Sequence, residues 1–299
     1  MAAFINIFKS IIFGVAIFPL GTRGQAPISL LNNRQIDSLL CASPQKELSI
    51  PARMKHFSEM FLKMPYSWTA TGEGPDALYE PYPLVNFDST NCMVYCEHVL
   101  AMAISDSWDN FFNNLQHIRY QNGIIGMRTR NHYTLGDWLP ENSWLLANVS
   151  KQIAGKNIRS STRTISHRQF FTNKGITDLR YVKKDYTSTI DYIPKEFADT
   201  IKENLKDGDL GILIFAGKKN IFAAHMVMFF QINGKWIVRE ASSKAGKVIE
   251  HPYSEWSQQI MENQHRAGFC VLQLNEVLNT PGRIILPWKI AKMKDKISR

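Results

Sequence analysis

Apolar positions recur with a helical period from Asn32 to Met64. Inside that stretch Ser49-Ile50-Pro51 predicts the start of a second helix, since serine caps well and proline fits a first turn. A loop bearing Gly and Pro, Thr71 to Asn86, comes next. Thr90 or Asn91 can then cap a helix on which Val94, Val99, Leu100 and Ala103 fall to one side, with Cys92 in its first turn. The middle, Asp109 to Tyr192, is polar and aromatic without a clear period; Asn131-His132-Tyr133 and Asp137-Trp138 read as loop residues lining a surface. Beyond Ile193-Pro194-Lys195 the pattern predicts a short helix, then a turn and a strand in LKDGDLGILIFAG. Two β-rich runs follow, joined by Asn233-Gly234, a strong short-range hairpin signal.

The first 26 residues read differently. One lysine, Lys9, precedes an apolar segment from Ile11 to Leu20, and small and polar residues lead to Ala26, which is the grammar of a signal peptide. Lys9, Gly14 and Pro19 interrupt the roughly 20 continuous apolar residues that a membrane anchor needs. The expectation is a periplasmic or secreted protein. Neither a repeat nor a low-complexity linker divides residues 27–299, so they are expected to form a single domain.

The formal net charge is +9, with Lys and Arg scattered rather than gathered into one basic block with interleaved aromatics. That distribution suits an anionic cell wall or membrane surface and gives no reason to expect a nucleic-acid partner. Lys289, Lys292, Lys294, Lys296 and Arg299 form a basic tail expected to be a solvated face. The four cysteines, Cys41, Cys92, Cys96 and Cys270, are too few for a disulfide scaffold, and no Cys-x-x-Cys with partner histidines suggests zinc. Neither metal nor cofactor is expected. A Cys41–Cys270 bridge stays open, whereas Cys92 and Cys96, one helical turn apart, are poorly oriented for one.

Hairpin arithmetic brings out the candidate chemistry. A two-residue turn at Asn233-Gly234 pairs Ile232 with Lys235, and counting outward pairs Val227 with Glu240 and His225 with Ser242. His225 and Glu240 then share one face as diagonal neighbours, within reach of long side chains. A catalytic cysteine needs such help, because a free thiol titrates near pH 8.5 and only the thiolate attacks. The positive end of the helix at Cys92 and a nearby imidazolium can both lower that value, while Glu240 orients the imidazole. From the residues alone, Cys92 can equally be a core sulfur and His225 a structural histidine.

An ordered set of motifs tilts that balance. Phe61-Leu62-Lys63-Met64-Pro65-Tyr66, Asn91-Cys92-Met93-Val94-Tyr95-Cys96-Glu97, Arg130-Asn131-His132-Tyr133 with Asp137-Trp138, Gly208-Asp209, the His225 strand and Glu240-Ala241-Ser242-Ser243 follow one another over about residues 50–275. In this the chain resembles the bacterial N-acetylmuramoyl-L-alanine amidase-like family, which looks like a branch of the NlpC-type, papain-like cell-wall hydrolases. The resemblance implies an α+β papain-like fold, with a catalytic helix packed on an antiparallel β-sheet, and peptidoglycan or its fragments as substrate. It assigns the nucleophile to Cys92, the base to His225 and the third residue to Glu240, and places Tyr66 beside the cysteine as an oxyanion donor. It puts Asn91, Arg130, Asn131, His132, Tyr133, Asp137 and Trp138 around the substrate. Three positions depart from the family's pattern: Glu240 where a histidine is common, Asn91 where Asp is favoured, and Val227 where glycine usually follows the histidine. Two rival functions stay open: acyl transfer or hydrolysis on lipids with the same fold, and a cell-envelope binding module with an idle site.

Overall fold

A computed structural model describes residues 26–42 and 47–297 of the protein. The expected leader lies outside the described residues except for Ala26. Among them, strands β1 (Leu146–Asn148), β2 (Arg159–Ile165), β3 (Tyr186–Pro194), β4 (Leu210–Phe215), β5 (Ala223–Ile232), β6 (Lys235–Ser242), β7 (Lys247–Pro252) and β8 (Arg266–Leu274) form one antiparallel sheet. The order is β2-β3-β8-β4-β5-β6-β7, with β1 against β8. Asn233 and Gly234 take positive φ of 50° and 74°, as a two-residue hairpin turn requires, and Ile232 pairs with Lys235 as expected.

Both faces of the central strands are covered, so these strands read as unbroken apolar runs. Met226, Met228 and Phe230 of β5 point into the larger core under the helices Ile50–Met60 and Cys92–Ala103. Val227 and Phe229 point the other way, into a smaller core with Tyr253 and Trp256 of the helix Tyr253–Glu262. The fold is α+β, a buried helix packed on an antiparallel sheet, as expected. Bulky Val227 is accommodated across the ladder by Gly211, its partner on β4, where an added Cβ would stand only 2.8 Å from a Val227 methyl.

The helix Cys92–Ala103 is buried on all sides from Val94 to Ala103 rather than along one stripe. Its one charged member, Glu97, meets Arg119 of the helix Trp108–Arg119 at 2.8 Å with both side chains buried, and Arg119 also donates to the Leu84 carbonyl. The helix start is therefore fixed from beneath, through the helical layer, and from the side, through the incoming loop.

Cys41 and Cys270 are both free thiols, hydrogen-bonded to the carbonyls of Asp106 and Asp191. The bridge left open by the sequence is therefore not formed. The basic tail is also more than a solvated face. In the helix Ile290–Ile297, Ile290 is fully buried and Lys294 is paired with Glu141. Deleting residues 289–299 is expected to lower stability by ~2–5 kcal/mol, chiefly through the loss of Ile290 from the core. Chemical denaturation checks this, and an unchanged midpoint would show the tail to be dispensable packing.

Candidate active site

The site begins at the head of the buried helix. Asn91, in extended backbone, is the N-cap; its side-chain oxygen accepts from the N–H groups of Met93 and Val94 at 3.1 and 3.0 Å. That satisfies two orphan donors of the first turn and leaves Cys92, the first helical residue, half-buried at the positive end of the helix.

The hairpin then does something that counting did not anticipate. The β5–β6 ladder holds its register from Ile232↔Lys235 to Met228↔Arg239 and stops there, so the expected pairs Val227–Glu240 and His225–Ser242 do not form. Beyond that point β5 stays with β4 (Leu213↔His225) and β6 with β7 (Glu240↔Ile249), and the two strands part. Met226 has the parity of the residues that bond toward β6, so opening the ladder releases its N–H, which donates to the Cys92 sulfur instead. The head of the Cys92 helix thus reaches strands whose catalytic-type side chains face away from the helical layer.

His225 and Glu240 flank this gap. His225 Nε2 is hydrogen-bonded to one carboxylate oxygen of Glu240, and the imidazole also bonds the Cys92 thiol, which leaves Nδ1 for the sulfur. The other Glu240 oxygen is bound by His251 Nε2 at 2.9 Å. His251 lies on β7 opposite Val238, on the same face of the sheet, and does not stand out in the sequence. A chain of four groups results: thiol, imidazole, carboxylate, imidazole.

The electrostatics follow from that chain. Burial pushes the Cys92 thiol up, but the His225 charge and hydrogen bond, together with the N–H groups of Met226 and Met93, outweigh it and hold the pKa below the ordinary value. Burial also works against a charged His225, yet the Cys92 thiolate and Glu240 raise its pKa to about 10. Glu240 is likewise penalised by burial, but its two histidine partners hold it down at about 2. Cys96, one turn along, is fully buried, and burial drives its pKa well up. Such an arrangement favours a thiolate–imidazolium pair, the state required of a sulfur nucleophile.

Tyr66 stands beside the cysteine. Its backbone pairs with Gly246 and with the strand-like Thr90, and burial followed by the proximity of Cys92 raises its hydroxyl pKa. The exposed Trp68 ring packs edge-on against Tyr66 at 5.2 Å.

The remaining motif residues form a separate framework. Arg130 binds Glu73 and Glu80 at 3.1 and 2.9 Å and pins the loop of residues 71–86 that leads to Asn91. Asn131 is buried, and neither polar atom of its side chain has a partner among the described residues. His132 bonds the Met127 carbonyl, and the Tyr133 hydroxyl donates to the Ser166 carbonyl. Asp137 gathers His167 at 2.7 Å, the Tyr186 hydroxyl at 3.0 Å and Lys183 at 3.2 Å, while Trp138 is fully buried beside it in the chain. Among the described residues no hydrogen bond or ring contact joins this set to Cys92, His225 or Glu240. Nor does any group of three or more His, Cys, Asp or Glu side chains among them have an arrangement that would hold a metal ion.

Known proteins add independent weight. The profile of a family described as N-acetylmuramoyl-L-alanine amidase-like matches residues 56–263. A crystal structure of an N-acetylmuramoyl-L-alanine amidase from Bacteroides uniformis ATCC 8492 superposes with a TM-score of 0.61 at 25% identity, over 76% of this chain and 99% of that one. A protein of Legionella pneumophila str. Philadelphia 1 superposes with a TM-score of 0.73 at 20% identity, over 85% of this chain and 97% of that one, and shares the fold. No curated protein sequence matches. Fold and relatives together define an amidase-like hydrolase. The chain belongs to the N-acetylmuramoyl-L-alanine amidase-like family.

Proposed function

We propose that the protein is a cysteine amidase that hydrolyses an amide or peptide bond of peptidoglycan or its fragments. The observation that carries this is the hydrogen-bonded series Cys92–His225–Glu240 assembled at a helix N-terminus. The Cys92 thiolate adds to the amide carbonyl, and the negative oxygen is held by the Cys92 N–H, which has no partner among the described residues, and by the Tyr66 hydroxyl. As the C–N bond breaks, His225 gives its proton to the departing amine and a thioester remains on Cys92. Water then attacks the thioester; His225 takes the proton, the acid departs and the thiolate is restored. Glu240 keeps the imidazole oriented and its positive form stable throughout.

Membership of an NlpC-type, papain-like branch is part of the same proposal and would suit this chemistry; the likeness to a Bacteroides protein that is itself called an N-acetylmuramoyl-L-alanine amidase supports it. Digestion of purified peptidoglycan followed by mass spectrometry tests the activity: new N-terminal alanine or a cleaved stem peptide is expected, and intact muropeptides would overturn it. Export belongs to the same proposal, and the basic surface would favour an anionic wall or membrane. N-terminal sequencing of the protein from its native cell is expected to begin between about Gly21 and Ser29. A soluble cytosolic form starting at Met1 or Ala2 would sink the export step.

A further inference from the structure

On the face of the sheet covered by the helix Tyr253–Glu262 lies a pocket of about 210 Å³ whose walls include His225, Glu240, Ser242, Lys244, Trp256 and Arg266. Its unspent charge is all positive. Both Glu240 oxygens are occupied by His225 and His251. Lys244 has no carboxylate partner among the described residues. The half-buried Arg266 guanidinium bonds, among the described residues, only the neighbouring His265 carbonyl at 3.4 Å and rests 5.2 Å above the Phe215 ring. Trp256 is buried, yet its indole N–H has no acceptor among the described residues. Burial without an anionic partner lowers the Arg266 pKa, the expected state of a cation awaiting a counter-charge.

The position of the pocket determines which part of a substrate it meets. In amide hydrolysis the imidazole that protonates the departing amine has the amine side of the substrate next to it, and His225 is a wall of this pocket. We propose that the pocket binds a carboxylate carried by the leaving, amine-side peptide of the substrate. This rests on the amidase activity proposed above and adds to it a specificity site centred on Arg266. Arg266 offers a planar fork of donors that matches a carboxylate, with Lys244 as a second positive charge. The Trp256 ring is packed against Phe229 and Phe269 and presents no open face for a sugar.

Two soluble substrates identical except for a carboxylate or a carboxamide on the leaving peptide provide the test. The parent enzyme is expected to favour the carboxylate in kcat/KM by about tenfold or more, the effect of charge-assisted hydrogen bonds. In Arg266→Gln the ratio should fall close to one, while Lys219→Gln, in a separate groove beside Thr162 and Arg163, keeps the parent ratio. Titration of the two free leaving peptides into Cys92→Ala, followed by tryptophan fluorescence, should show the same preference and the same loss when Arg266→Gln is added. A parent ratio near one in both turnover and binding, or a ratio that survives Arg266→Gln and the Lys244→Gln/Arg266→Gln double variant, overturns the pocket. Turnover of both substrates with no preference in either turnover or binding leaves the amidase activity standing and removes the pocket. An Arg266-dependent binding preference without turnover does the reverse.

Discussion

Cys92→Ala is expected to abolish turnover of a muropeptide while leaving the melting temperature within about 2 °C of the parent, because a half-buried first-turn thiol fills little core volume. Cys96→Ala is expected to do the opposite. Its sulfur is fully buried in the helix core, so removal opens a small cavity costing on the order of 1 kcal/mol, with chemistry intact. The contrast is sharp because the two thiols lie four residues apart on one helix and differ mainly in what faces them. Cys92 meets an imidazole and two backbone N–H groups, whereas Cys96 meets apolar side chains. Turnover and thermal unfolding of both purified variants decide the matter. Activity surviving in Cys92→Ala, or a folded but inactive Cys96→Ala, would falsify the assignment of the nucleophile.

Part of this site was legible in the sequence because strand geometry is periodic. Asn233-Gly234 fixed the hairpin, and parity put His225 and Glu240 on one face. Counting assumes that a ladder continues, however, and this one opens after Met228↔Arg239. The open ladder sets an N–H of Met226 free for the sulfur, and no residue pattern announces it. His251 was missed for a related reason. It is brought to Glu240 by a third strand, β7, that follows the short turn after Ser242 and alternates too weakly to stand out. The residues Arg130 to Trp138 show the opposite limit. Polar and aromatic side chains look alike in sequence whether they line a groove or brace one, and here ion pairs and burial tie them to their own surroundings. The helix at Cys92 appeared one-sided because Tyr95, Glu97 and His98 count as polar or ambiguous. Each is buried with a partner: the Ser58 carbonyl, Arg119 and the Val94 carbonyl.

Glu240→Gln is expected to lower kcat by roughly 10² to 10⁴-fold and to pull the alkaline limb of the pH–rate profile toward neutrality. The sign follows from the charges. Burial favours a neutral His225, and the Cys92 thiolate and Glu240 overcome it to keep the imidazolium up to about pH 10. Removing the Glu240 charge withdraws one of those supports, so His225 loses its proton at lower pH and no longer has one to give the departing amine. An adjacent opposite charge is worth about 1–3 pH units, and a displacement of that order is expected. The acid limb, set by protonation of the Cys92 thiolate, should not rise, because removing a negative charge nearby makes the thiolate no harder to form. Both limbs belong to the coupled pair rather than to either residue alone. His251 decides where in the range the loss falls. If the substituted amide turns its oxygen to His225 and its N–H to His251, the imidazole keeps its tautomer and the loss lies near the lower figure. If His251 claims the oxygen, the amide N–H faces His225 Nε2, the wrong tautomer is favoured and the loss approaches the higher one. Profiles of kcat/KM against pH for parent and variant, each checked for folding, provide the measurement. An alkaline limb left in place with near-parental kcat would show that the carboxylate does not support the imidazolium.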